Sequence, residues 1–179
     1  KTDDARKLAL KQHLRLSDIV RKINDSIGKK AVSHIQICSS PAQIKNQALS
    51  SKDSFRRSIE ELLMYDWDDA KILIEHCDTP KANQRYQKGF LALQEEIEIL
   101  DKLMDMRLGI LLNWGRSVIE GRNSSEAIRH IEITQKKEYL KGFIFSGTAM
   151  EDKIYGEWSD LHMPFQNRSN PKFSFDNSL

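Results

Sequence analysis

Apolar residues recur at intervals of three and four along most of the chain, which is the spacing that places them on one face of an α-helix. The first run predicts a helix over 3–27, because Asp3 and Asp4 suit a helix N-terminus and Gly28 suits a helix end. The stripe of this helix is aliphatic and consists of Leu8, Leu16, Ile19, Val20, Ile23 and Ile27. We therefore expect this face to pack against the rest of the molecule.

The longest run begins at Thr79-Pro80, a pair typical of a helix start because proline is tolerated in the first helical turn. The spacing continues to Gly121 and predicts one helix of about forty residues, roughly 60 Å long at 1.5 Å per residue. A compact globule of this length is only about 40 Å across. The sequence therefore predicts an elongated molecule around this helix, with a break at Gly109 or Gly115 as the alternative.

Shorter segments complete the predicted architecture. Residues 31–38 alternate between apolar and polar side chains, which fits a short strand or a turn of buried helix, and the lack of an obvious partner strand favours the helix. Further helices are predicted from Pro41 to Leu49, from Phe55 to Cys77 with a new start at Asp66 as an alternative, from Ser124 to Gly142 or Gly147, and from Thr148 to Leu161.

The fold class that follows is all-α: an elongated bundle of about five helices with one very long central helix over about 80–120. One helical domain is predicted over 1–162 and an extended C-terminal tail over 163–179, where Pro164 and Pro171 stand among polar residues without periodicity. Composition favours the same class, because the chain of 179 residues contains only three Val and four Thr.

Charge is nearly balanced over the whole chain but not along it. The net charge of +2 is too small to indicate a nucleic-acid partner, whereas residues 1–47 hold ten basic and four acidic side chains and residues 48–105 hold eight and thirteen. The favoured interpretation is that these two segments neutralise each other. The alternative is a basic surface that binds nucleic acid or an anionic membrane, formed by Lys7, Lys11, Arg15, Arg21 and Lys22.

Motifs that carry chemistry are scarce. Two cysteines, Cys38 and Cys77, make no disulfide framework, although a bridge between them stays open. Five scattered His give no zinc-binding spacing, and phosphate-binding loops and nucleophile elbows are absent. We therefore expect no metal and no cofactor, and the sequence favours a non-enzyme over an enzyme built from dispersed residues. The lack of a signal peptide or an apolar span favours an intracellular, cytoplasmic protein.

Two apolar features favour an interaction surface. Residues 103–119 are apolar on every side of the predicted helix, and the tail carries aromatic residues in a polar setting. The predicted interface with a protein partner or a second copy consists of Met106, Ile110, Leu111, Trp114, Phe165, Phe173 and Phe175. The predicted function is a non-catalytic helical interaction or scaffolding module, as a homodimer or a subunit of a larger complex.

Overall fold

Helices and strands alternate in the computed structural model, which describes residues 3–39, 51–79, 81–84, 88, 91–165, 167, 169, 178 and 179. The elements in chain order are α1 (Asp3–Ile27), β1 (His34–Cys38), α2 (Lys52–Leu63), β2 (Lys71–His76), α3 (Leu93–Leu103), β3 (Leu108–Asn113), α4 (Trp114–Gly121), α5 (Ser124–Lys136) and β4 (Leu140–Ile144). The fold is α/β, so the predicted all-α class is wrong.

The four strands form one parallel sheet in the order β1-β2-β3-β4. Ile37 pairs with Ile74, Ile74 pairs with Ile110, and a bulge between Ile110 and Leu111 shifts the register with β4. Each crossover moves to the next position in the same direction, and right-handed crossovers of this kind place their helices on one face of the sheet. The same sequential order occurs in (β/α)8 barrels, whereas a doubly wound sheet reverses direction.

The main core lies between that face of the sheet and the helices. Ile72, Ile74 and Ile110 are completely buried there. The core joins strand residues to residues from α2 and α3, namely Ile35, Ile37, Ile72, Ile74, Ile110, Leu112, Ile59, Leu62, Ile97 and Leu100. Leu73 and Leu111 are also buried but lie outside this core, on the second face of the sheet. Burial on both faces explains why the run in β3 is apolar throughout.

The predicted central helix from Thr79 to Gly121 is wrong. Its residues form α3, β3 and α4, and α3 ends at Met104, which adopts a left-handed conformation with φ 47°. The apolar residues of this segment are divided between elements. Leu108, Ile110, Leu111 and Leu112 belong to a strand covered on both faces, Trp114, Val118 and Ile119 belong to α4, and Met104 and Met106 are exposed. The elongated bundle, which depended on this helix, is wrong as well.

Other segments that the sequence predicts as helical also contain strands in the structure. Residues 31–38 contain β1 rather than a helix, and the predicted helix over 55–77 divides into α2 and β2. The helix that begins at Ser124 is confirmed, but β4 follows it from Leu140, and residues 148–161 form turns and bends. The helix predicted over 41–49 lies outside the described residues.

Helix α1 has the predicted bounds, and Gly28 ends it with φ +73°. Its predicted stripe is wrong except for Val20, because the side chains that are buried on α1 are Leu10, Ser17, Val20 and Asn24. Large aliphatic residues of α1 are instead exposed to solvent: Leu8, Leu14, Leu16, Ile19, Ile23 and Ile27. The predicted packing face of α1 is therefore uncovered by the described part of the chain.

The C-terminal residues that the structure describes contact the rest of the chain. Met163 is buried and pairs with Gly147 in an antiparallel bridge, and the Leu179 amide donates to the Thr148 carbonyl at 2.7 Å. The division at residue 163 stays a prediction. Among the described helices, none combines the length and the apolar character needed to span a membrane.

Asn24 connects α1 to two other segments, which gives a first prediction. Its side-chain oxygen accepts from the amides of Ala31 and Val32 at 2.8 and 3.0 Å, and its nitrogen donates to Asp68 at 2.7 Å. We expect Asn24→Ala to lower the free energy of unfolding by about 2–3 kcal/mol, because Asn24 is buried and all three of these hydrogen bonds are lost. Urea denaturation measures this, with Gln12→Ala on the exposed side of α1 as the control; equal effects would contradict the prediction.

Candidate functional site

Parallel sheets place their ligands beyond the carboxyl ends of the strands. At β2 this edge carries two polar residues in succession, Glu75 and His76, both buried. Because side chains alternate along a strand, His76 faces the helices with Ile74, whereas Glu75 lies on the second face with Leu73. Two separate clusters follow. The Glu75 cluster comprises Gln36, Cys38, Glu75, Cys77, Asn113 and Arg116; the His76 cluster comprises His76, Glu96, Glu120, Glu126 and His130.

The Glu75 carboxylate is held by the two neighbouring strands. Oε1 accepts from the Asn113 amide of β3 at 2.9 Å, and Oε2 accepts from the Gln36 amide of β1. The Cys38 thiol lies 3.4 Å from Oε2. Donors from both neighbouring strands therefore fix the carboxylate at the carboxyl edge of the sheet. Glu75 is also almost completely removed from water, since it is only 4% exposed.

Arg116 supplies the positive charge of the Glu75 cluster. One guanidinium nitrogen lies 3.4 Å from Glu75 Oε1 and also donates to Cys77, and another lies 3.2 Å from Asp160. Lys88 contacts the same Asp160 carboxylate at 3.1 Å. Arg116 therefore balances two carboxylates that are largely removed from water.

Two side-chain N–H donors of the segment that follows β3 are unsatisfied in the described part of the chain. Among the described residues, Arg116 Nε and Trp114 Nε1 are buried and make no hydrogen bond. Both belong to the first turn of α4, which directly follows β3. Buried donors without acceptors are costly. Because the Arg116 guanidinium contacts Glu75, an oxygen-bearing ligand beside that carboxylate would satisfy Arg116 Nε.

Asn113 positions the end of β3 and the start of α4. Its side-chain oxygen accepts from the Arg116 amide at 3.3 Å, as a helix N-cap, and from the Ser146 hydroxyl at 3.0 Å. Gly115 makes this approach feasible, since a Cβ there would lie 2.5 Å from the Ser146 carbonyl oxygen. The carboxyl ends of β3 and β4 are therefore held together.

Cys38, Glu75 and Cys77 could hold a metal, since their ligand atoms lie within 4.8 Å of one another. Two thiolates and a carboxylate suit a soft divalent ion. However, a hydrogen bond with Cys38 and burial raise the pKa of the Cys77 thiol, and the Arg116 guanidinium already contacts Cys77 and Glu75. Both cysteines are free thiols. The arrangement fits hydrogen bonding and proton transfer better than metal coordination.

The His76 cluster lies between the sheet and the helices. His76 Nδ1 is 2.9 Å from Glu96, and Nε2 is 3.3 Å from Glu120. Burial alone lowers the pKa of His76, but the charge of Glu96 and the hydrogen bond with Glu120 raise it to about 10. Burial and the neighbouring His76 lower the pKa of His130 to about 4. The two imidazole rings meet edge to face at 4.9 Å.

The residues that the sequence predicts for an interface do not share one surface. Met106 is 91% exposed, Ile110 is completely buried, and Leu111 is buried on the second face of the sheet. Trp114 packs against the small core of Val118, Ala127 and Trp158, and the Phe165 ring lies 6.3 Å from that of Phe145. Phe173 and Phe175 lie outside the described residues. Whether any of these residues meets a partner stays a prediction.

The predicted basic residues all lie on α1. Lys7, Lys11, Arg15 and Lys22 are exposed, and Lys7 pairs with Asp3. Arg21 pairs with Asp18 and Asp66. Binding of an anionic partner by this surface also stays a prediction. The scaffolding function predicted from the sequence is wrong, because a parallel sheet rather than a helix bundle organises the chain.

Sequence reasoning missed Glu75, His76, Asn113 and Arg116 because it assigned their segments to helices. A usable pattern is present: the apolar run over 72–74 ends directly at Glu75 and His76, and the apolar run over 108–112 ends directly at Asn113. Polar residues directly after short apolar runs are typical of functional sites at the carboxyl ends of parallel strands.

Comparison with known proteins places this chain in a family. The family described as "Domain of unknown function (DUF4862)" matches residues 1–179. An uncharacterized protein of Salmonella typhimurium (strain LT2) is 31% identical over 163 residues, which cover 91% of this chain and 50% of that protein. The chain therefore spans about half the length of the curated relative that it matches.

Proposed function

We propose that this chain, which belongs to the DUF4862 family, supplies half of a (β/α)8-barrel enzyme that performs acid–base chemistry on a small oxygen-rich substrate. Glu75 is the proton-transfer group of this proposal. The observation that carries it is the buried Glu75 carboxylate at the carboxyl edge, held by donors from Gln36 and Asn113 and charge-balanced by Arg116. Such edges are where barrel enzymes place their reacting groups.

Three observations support a barrel. The strand order advances in one direction without a reversal, and β1 and β4 form the two edges of the sheet in the described chain. The curated relative is about twice as long as the matched region, so it has room for four more strand–helix units. The exposed aliphatic face of α1 provides a surface on which such units would pack.

The chemistry assigned to each group follows from its contacts. A carboxylate with two oxygens held in place takes a proton from the substrate and returns it with little reorganisation. Gln36 and Asn113 position the carboxylate, and Arg116 balances its charge with that of Asp160. The unsatisfied Nε donor of Arg116, whose guanidinium contacts Glu75, favours a substrate rich in hydroxyl, carbonyl or carboxylate oxygens.

Proton transfer at Glu75 gives a second prediction. The purified intact protein is incubated in D₂O with aldoses, ketoses, 2-hydroxy acids and 2-keto acids, and proton NMR follows product formation and exchange of carbon-bound hydrogen. We expect Glu75→Gln to reduce turnover by about a hundredfold or more, because the proton acceptor is lost. Glu75→Asp keeps the charge, withdraws the carboxylate by one methylene and should also lose most activity.

Glu98→Gln is the matched control, since Glu98 lies on the solvent side of α3 and pairs with Lys52 at 2.6 Å. Circular dichroism verifies that each variant is folded. Unchanged turnover in both Glu75 variants would contradict the assigned role. Failure of the folded protein to change any of these compounds would contradict the proposed substrate class.

A further inference from the structure

The His76 cluster is a second group of buried imidazole and carboxylate side chains, and the proposed acid–base function does not use it. It lies on the opposite face of β2 from Glu75 and brings together side chains from β2, α3, α4 and α5. His76 and His130 are completely buried, Glu120 is 6% exposed, and the side chain of Glu126 is 14% exposed. Polar groups at this depth require partners that satisfy every donor and acceptor.

The ligand atoms of His76, Glu120 and His130 lie within 4.8 Å of one another. His76 Nε2 lies 3.3 Å from one Glu120 oxygen, and His130 Nε2 lies 3.8 Å from the other. His130 Nε2 is also 3.4 Å from Glu126 Oε1. A tetrahedral zinc ion bound at 2.0–2.1 Å holds its ligand atoms about 3.3–3.4 Å apart. The separations of 3.3 and 3.4 Å match that spacing, and the separation of 3.8 Å between His130 Nε2 and the other Glu120 oxygen is longer.

Both imidazoles are oriented as metal ligands are. His76 Nδ1 contacts Glu96 at 2.9 Å, and Glu96 accepts from the Ser39 hydroxyl at 2.6 Å. His130 Nδ1 lies 3.0 Å from the Ser117 hydroxyl. Each ring thus uses Nδ1 for an outer partner and turns Nε2 toward the shared space. Histidines that bind zinc are held by outer carboxylates and hydroxyls in this manner.

An unsatisfied atom points to a missing partner in this space. Among the described residues, His130 Nε2 is buried and makes no hydrogen bond, although two carboxylates lie nearby. The Glu120 carboxylate is fixed from the other side by the Thr79 amide at 3.1 Å. A cation between His130, Glu120 and His76 would satisfy the orphaned nitrogen.

We propose that His76, Glu120 and His130 form a structural zinc site. Glu126, whose Oε1 lies 3.4 Å from His130 Nε2 but outside that group of three, turns toward the ion as the fourth ligand. Four protein ligands close the coordination sphere, which is typical of structural rather than catalytic zinc. Lys81 contacts Glu126 at 3.1 Å and Glu120 at 3.6 Å, and its side chain is 38% exposed, so it can turn to solvent when the ion enters. The ion then joins α4 and α5 to the end of β2.

The test uses the intact, tag-free protein, stripped with EDTA and titrated with zinc chloride. We expect one zinc ion per chain by elemental analysis after desalting. Zinc at a hundredfold excess over its Kd should raise Tm by about 5–10 °C. This measurement on the unmodified protein decides the proposal by itself, because a folded protein that binds no zinc overturns it.

Variants locate the ion. His130→Gln and Glu120→Gln should each weaken zinc binding by at least about tenfold. The controls are His34→Gln, at an exposed position of β1, and Glu132→Gln, at an exposed position of α5, which should bind as the unmodified protein does. Retention of full affinity in both ligand variants would overturn the proposal.

Cobalt substitution separates this site from the two cysteines. Cobalt bound by imidazole and carboxylate gives visible bands without thiolate-to-metal charge transfer, and Cys38→Ser with Cys77→Ser should leave binding intact. A thiolate band that disappears in the double cysteine variant would place the ion at the Glu75 cluster instead and overturn the proposal.

Discussion

Replacement of Arg116 by Met is expected to lower the free energy of unfolding by about 3–5 kcal/mol. Because Met has a similar length and keeps most of the packing, the loss of stability measures the effect of removing the positive charge. The guanidinium contacts Glu75 at 3.4 Å and Asp160 at 3.2 Å, and all three side chains are at most 7% exposed. Without Arg116, the two carboxylates remain buried with less compensation, which is costly.

Urea denaturation with a two-state fit measures this loss. Arg21→Met is the matched control, because Arg21 also pairs with two aspartates but its side chain is 43% exposed. That control should change stability by about 1 kcal/mol or less. The double variant Glu75→Gln/Arg116→Met should recover part of the loss, since one uncompensated charge is removed. A loss from Arg116→Met no larger than that of the control would show that this contact does not hold the carboxyl edge together.

The helices that the sequence predicted correctly are those whose evidence is local. The ends of α1 are marked by Asp3, Asp4 and Gly28, and the start of α5 is marked by Asn123, whose side chain accepts from the Glu126 amide at 3.2 Å. Caps act within a turn of the chain, so the sequence of that turn specifies them. The face that a helix buries depends instead on the distant segments that pack against it. The sequence therefore predicts the wrong buried face for α1, whose aliphatic stripe is exposed.

The strands escaped prediction because their partners are distant in sequence. Ile37, Ile74 and Ile110 lie side by side in the sheet but about 36 residues apart in the chain. Strands buried on both faces have no alternation, so LGILLN can be read equally as a buried helix. The scarcity of Val was misleading, since Ile and Leu occupy the strand positions where Val is common.

The candidate sites could not be predicted for the same reason, because their residues are far apart in the sequence. Glu75, Asn113 and Arg116 meet only because β2 and β3 pair in register, and His76 meets His130 only because α5 packs over the sheet. No fixed spacing encodes either cluster, so a search for metal-binding motifs finds none. What the sequence did contain was the position of each polar residue directly after an apolar run, which becomes informative once those runs are recognised as parallel strands.

Ile110→Asn and Met106→Asn should have opposite outcomes, although the sequence placed both residues in one interface. Ile110 is completely buried at the centre of the sheet, between Ile74 and Leu140, whereas Met106 is 91% exposed. Ile110→Asn should lower the free energy of unfolding by at least about 4 kcal/mol, since it leaves a cavity and an unsatisfied amide. Met106→Asn should change it by about 0.5 kcal/mol or less.

Circular dichroism in urea measures both variants. Because a loss of about 4 kcal/mol can unfold a domain of ordinary stability, Ile110→Val serves as the milder variant, with an expected loss of about 0.5–1.5 kcal/mol. A helical rod with Met106 and Ile110 on a shared docking surface would show little loss of monomer stability for either asparagine variant. A large loss at Ile110 alone is expected of a completely buried residue in a middle strand of a parallel sheet.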